Sequence, residues 1–141
     1  MPDLHHEIAI QATPQTVYDA LTTTPGLGGW WTSDSSAEPR VGSIATFGFG
    51  RRSTVFRMRV DELVPGRRIV WQCLGDVDEW KDTRLTWDIA PDSGGVKLKF
   101  VHGGWRSTDG WLAPCNSTWG ALMHRLRDYA EGRNPGPHFH A

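Results

Sequence analysis

The segment from Trp111 to Tyr129 constrains this chain more than any other. Apolar residues recur at Cys115, Trp119, Leu122, Met123, Leu126 and Tyr129, with Arg125, Arg127 and Asp128 between them. That spacing is the stripe of an amphipathic helix with one dry face. A dry face needs a partner, and the preceding residues alternate in the manner of strands. The arrangement that satisfies both is an α+β domain in which one long C-terminal helix lies across the concave side of a curved antiparallel sheet. Between helix and sheet, a space lined by Trp, Phe and Met is expected.

The strands follow from the period. Residues 5–11 alternate, with His6, Ile8 and Ile10 on one side. From residue 41 the period is again two: Ala45, Phe47 and Phe49 share a face, and Gly50-Arg51-Arg52-Ser53 reads as a turn. Phe56, Met58 and Val60 then face one way, while Arg57, Arg59 and Asp61 face the other. Pro65-Gly66 makes a hairpin of 54–64 and 67–74, and Ile69, Trp71 and Cys73 alternate on its second arm. After an acidic loop from Asp76 to Glu79 come Leu85, Trp87 and Ile89, then Val96, Leu98 and Phe100 beyond a turn at 91–95. This predicts about six strands.

Two short helices are predicted near the N-terminus. Thr13-Pro14 supplies a cap and a first helical position, placing helix one at 14–23. Pro25-Gly26-Leu27-Gly28-Gly29 breaks it, Trp30-Trp31 falls in a short second helix or turn, and 32–40 reads as polar loop. Pro114 sets the start of the last helix near 113, and Gly132 with Pro135 ends it. The expected organisation is one domain over 1–132 and a flexible tail over 133–141.

Composition narrows the partners. The 141 residues fit one core, and the formal charge of −1, from 15 basic and 16 acidic side chains, offers no global field for nucleic acid. The N-terminus lacks the features of a signal peptide, and no apolar run approaches bilayer length, so a cytoplasmic protein without membrane insertion is expected. Cys73 and Cys115 sit in apolar patterns as buried thiols. Eight tryptophans exceed what a small core absorbs easily, so some should line a cavity or an interface.

The run Thr13-Pro14-Gln15-Thr16-Val17-Tyr18-Asp19-Ala20-Leu21-Thr22, then Trp30-Trp31, then Val60 to Trp71 with Pro65-Gly66, resembles the heat-shock-protein-90 ATPase-activator homologues. His102-Gly103-Gly104-Trp105, followed by Cys115 to Gly120 and later Leu126, Tyr129, Glu131 and Gly132, is similar to the closing helix of bacterial single-domain members. These belong to the START-like, helix-grip superfamily (SRPBCC). The resemblance implies a curved sheet gripping a C-terminal helix. It also implies one of several activities found on that fold: lipid or hormone binding, cyclase-type catalysis, or co-chaperone action. Its motifs are core and turn residues, which identify a fold more than a function.

The candidate ligand-binding set is Trp30, Trp31, Phe47, Phe56, Met58, Trp71, Trp87 and Phe100 from the sheet side, with Trp119 and Met123 from the helix. A space walled by so much ring surface fits a hydrophobic or aromatic small molecule. His6 and His102 are the polar residues expected to face it, and His102 is preferred because Gly103-Gly104 leaves open backbone beside it. The competing reading for each histidine is a structural hydrogen bond at a strand end. No nucleophile elbow, P-loop or dinucleotide fingerprint is present, so no catalytic residue and no cofactor is assigned. Adjacent His5 and His6 face opposite ways, and His138-Phe139-His140 lies in the tail, so no metal site is assigned either. A homodimer is compatible with the aromatic surplus.

Overall fold

The structure is a computed structural model that describes residues 2–75 and 77–140. Asp76, the first residue of the expected acidic loop, lies outside the described residues. The chain runs β1 (Leu4–Ile10), α1 (Pro14–Thr22), α2 (Thr24–Gly28), β2 (Asp34–Ser36), β3 (Ile44–Phe49) and β4 (Thr54–Val64). It continues through β5 (Arg68–Cys73), β6 (Arg84–Asp92), β7 (Gly95–Gly103) and α3 (Leu112–Ala130). All seven strands form one antiparallel sheet in the order β1-β7-β6-β5-β4-β3-β2. The α+β helix-grip architecture expected from the sequence is present.

Two local differences have clear causes. The 32–40 segment holds a seventh strand, β2, which pairs Asp34 with Gly48 and Ser36 with Thr46. Its Asp-Ser-Ser sequence carries no strand propensity, and pairing with β3 imposes the conformation. The segment read as a helix breaker is itself the five-residue helix α2. Thr23 makes this possible: its hydroxyl donates to the Asp19 carbonyl at 2.8 Å and accepts from the Gly26 amide at 3.1 Å, so one side chain ends α1 and caps α2. Gly26 is required by packing, since a Cβ there would lie 2.6 Å from the Asp19 carbonyl oxygen. Trp30 and Trp31 follow α2 in a turn.

The inner sheet face is a ladder of large residues, with Phe47 opposite Phe56, Trp71 opposite Leu85, and Trp87 opposite Phe100. A register shift between Val60 and Glu62 bends β4, consistent with the curl that lets the sheet wrap a helix. Onto this face α3 lays Trp119, Leu122, Met123 and Leu126, all buried. Pro114 falls in the first turn of α3, where its missing N–H has no helical acceptor to lose. The outer face carries ion pairs: Arg59 and Arg84 bracket Asp61, and Arg68 bonds Asp88 and Glu62.

The chain beyond α3, expected as a flexible tail, folds back against the body. Arg125 donates to the carbonyls of Pro135, Gly136 and Pro137, and Phe139 exchanges backbone hydrogen bonds with Trp31 and Ser33.

Candidate functional site

An apolar cleft of about 360 Å³ opens between the β3–β4 end of the sheet and the N-terminal half of α3. Its walls are Trp31, Phe49, Thr54, Phe56, Trp80, Trp111, Pro114, Cys115, Thr118, Trp119, Leu122 and Phe139. Strand alternation delivers Phe49, Thr54 and Phe56 to the inner face, and the helical repeat delivers Cys115, Thr118, Trp119 and Leu122 to the facing side. The rings support one another. Phe56 stacks on Trp80 at 4.2 Å, Phe49 meets Phe56 edge-on at 5.4 Å, and Trp31 lies 5.1 Å from Trp119. Trp111, 41% exposed, stands at the rim, its ring roughly perpendicular to that of Phe56.

Of the expected ligand set, the structure brings Trp31, Phe56 and Trp119 to the cleft. Trp30, Phe47, Met58, Trp71, Trp87, Phe100 and Met123 are buried in the core beneath it and do not line it. Trp30, for example, donates its indole N–H to the Ala20 carbonyl and stacks on Trp31. Sequence reasoning missed Phe49, Thr54, Trp111, Pro114, Thr118, Leu122 and Phe139 as walls. Leu122 and Cys115 were legible as dry-face residues. Phe139 gave no periodic signal.

His102 is sealed away from the cleft. It is fully buried, Trp119 Nε1–H donates to its Nδ1 at 3.2 Å, and its Nε2 lies 2.9 Å from Thr83 Oγ1. Because an indole N–H only donates, Nδ1 must be the bare nitrogen, so Nε2 carries the proton and donates to Thr83. The Thr83 hydroxyl in turn donates a hydrogen bond to the Trp80 carbonyl at 2.6 Å. Burial pushes the His102 pKa down to about 3, so the ring is neutral. The histidine therefore holds Trp119 directly and Trp80 through Thr83, and both are cleft walls. His6 likewise faces α3 rather than the cleft, stacked 6.3 Å from Phe100 with its pKa lowered, first by burial.

Cys115 is the titratable group in the cleft wall. Burial raises its pKa, and the Trp80 indole beside it opposes that rise. The indole N–H nevertheless lacks an acceptor in hydrogen-bond geometry, so the sulfur is a neighbour rather than a full partner. The thiol is thus protonated near neutral pH and a weak nucleophile. Among the described residues no group of three metal-ligating side chains gathers, and no helix is long and apolar enough to cross a membrane.

A curved sheet gripping a terminal helix, with an apolar cleft at one end, defines a START-like helix-grip domain. Residues 11–131 match the family described as Activator of Hsp90 ATPase homolog 1-like protein, and the chain belongs to that family. Among solved structures it is similar to the Aha1 dimer of Colwellia psychrerythraea, with 32% identity, a TM-score of 0.86, and 94% of this chain and 98% of that one covered. It is also similar to protein CV1439 of Chromobacterium violaceum, at 25% identity and a TM-score of 0.77 over 92% and 96% of the two chains. DynU16, a protein of the dynemicin biosynthetic locus, shares the fold at 19% identity and a TM-score of 0.81, with 99% of this chain lying on 51% of that one. No curated protein matches the sequence.

Proposed function

We propose that this protein binds a hydrophobic or aromatic small molecule in the cleft between the β3–β4 end of the sheet and α3. The observation that carries the reading is the cleft itself, about 360 Å³ with seven aromatic rings among its walls. That volume lies within the range of small-molecule sites. Covering one such ring contributes roughly 1.5 to 3 kcal/mol, so a ligand contacting several reaches micromolar affinity after its lost freedom is subtracted. Among the described residues the walls carry no carboxylate and no histidine, and burial keeps the thiol protonated. These features favour holding a ligand over acid–base chemistry on it. The protein works in the cytoplasm, and by analogy with the dimeric Colwellia relative it forms a homodimer.

The family's name points to a second reading, docking on a chaperone, for which half-exposed Trp111 at the rim is the best-placed anchor. Titrating tryptophan emission with fatty acids, flavonoids and aromatic polyketides separates the two. Binding is expected for at least one class and should be abolished by Thr118→Trp, which fills the cleft. A protein whose emission ignores every class would defeat the small-molecule reading and leave docking.

A further inference from the structure

One wall of the cleft, Phe139, comes from the chain beyond α3. After α3 the chain reverses at Gly132, whose φ of +90° is open to glycine and strained for other residues. It then passes under Arg125. That guanidinium gathers three successive carbonyls, with Nη2 at 2.6 Å from Pro135, 2.8 Å from Gly136 and 3.3 Å from Pro137. Beyond the clamp, His138 and Phe139 donate their amides to the Trp30 and Trp31 carbonyls at 3.3 and 2.8 Å, and Ser33 donates to Phe139 at 3.0 Å. These bonds deliver the Phe139 ring to the cleft, edge-on to Phe49 at 5.0 Å and 88°.

The other main walls are anchored by the core. Moving α3 would expose Trp119, Leu122, Met123 and Leu126, and moving β3 or β4 would break a ladder shared with the whole sheet. Arg133 is tied to Asp128 and Glu131 at the end of α3; beyond it, among the described residues, the 134–140 stretch is held by Arg125, three backbone hydrogen bonds and one half-buried ring. Segments with so few buried contacts open at the low end of a protein's stability range.

We infer that residues 134–140 are a hinged wall of the cleft, latched by Arg125 and plugged by Phe139, which swings out to admit the ligand and sets the largest ligand accepted. The inference rests on the cleft being the binding site proposed above. Arg125 positions the wall without touching the ligand, whereas Phe139 touches it and determines size.

Stopped-flow fluorescence with anilinonaphthalene sulfonate and its larger dimeric analogue tests this on the full chain. Phe139→Ala should speed association several-fold and shift preference toward the larger dye. Arg125→Gln should speed association, leave the preference unchanged, and accelerate hydrogen exchange at the Phe139 amide. Should either variant fail to fold, Phe139→Leu, which keeps apolar bulk, should show a smaller shift in the same direction. Wild-type binding with rates, preference and exchange unaltered in the variants overturns this inference alone. Absence of dye binding by the wild type overturns both this inference and the cleft reading.

Discussion

Acid should weaken this fold through His102, and the size of the effect follows from its surroundings. The ring is fully buried and its pKa falls from 6.5 to about 3. In the unfolded chain the same ring titrates at its ordinary value. Between those two values the unfolded state binds a proton that the folded state refuses, so stability is full above the unfolded value and lost as pH falls toward the folded one. At about 1.4 kcal/mol per pH unit the whole gap corresponds to roughly 5 kcal/mol, of which roughly 3 kcal/mol is lost between about pH 6.5 and 4.5. Small domains total about 5 to 15 kcal/mol, so the loss is large. His102→Gln is the informative control. Its amide can accept from Trp119 and donate to Thr83 without titrating. Urea unfolding at about pH 7 and 4.5 should show the wild type losing roughly 3 kcal/mol more than the variant. Equal losses in the two proteins, or an NMR titration of His102 with its midpoint near its ordinary value, would refute the buried neutral ring.

Two further outcomes are expected. Gly26→Ala should cost about 1 to 3 kcal/mol in thermal unfolding, because a Cβ would meet Asp19 and Ala20 backbone at 2.6 and 2.8 Å; an unchanged melting temperature would show that α1 and α2 are not in close contact. Trp111→Ala should alter stability by less than about 1 kcal/mol and weaken aromatic ligands roughly tenfold, read by calorimetry; undiminished affinity would remove Trp111 from the site.

The sequence carried the fold because period and punctuation agreed over long stretches. The Phe56, Met58, Val60 alternation, the Pro65-Gly66 turn and the Trp119 to Leu126 stripe each specify an element locally, and the structure places them as read. What failed to show was set by tertiary contact. β2 is a strand because β3 lies beside it, and α2 exists because Thr23 caps it and Gly26 fits against α1.

The site was less legible for a different reason. Alternation marks a residue as inward but does not separate an inward residue packed on neighbours from one facing empty space. Trp71 and Trp87 carry the same signal as Phe49 and Phe56, yet the first pair is core and the second lines the cleft. The difference arises from where the sheet curls away from α3. Phe139 lies in a Pro-Gly-His stretch without period, and only the Arg125 clamp brings it home.

The central claim is that the cleft beside α3 holds an apolar small molecule. A crystal structure of the protein with the tightest compound of the emission titration tests it most directly. The account predicts ligand density bounded by Trp31, Phe56, Trp119 and Phe139. Density elsewhere on the molecule, with the cleft empty, would contradict it.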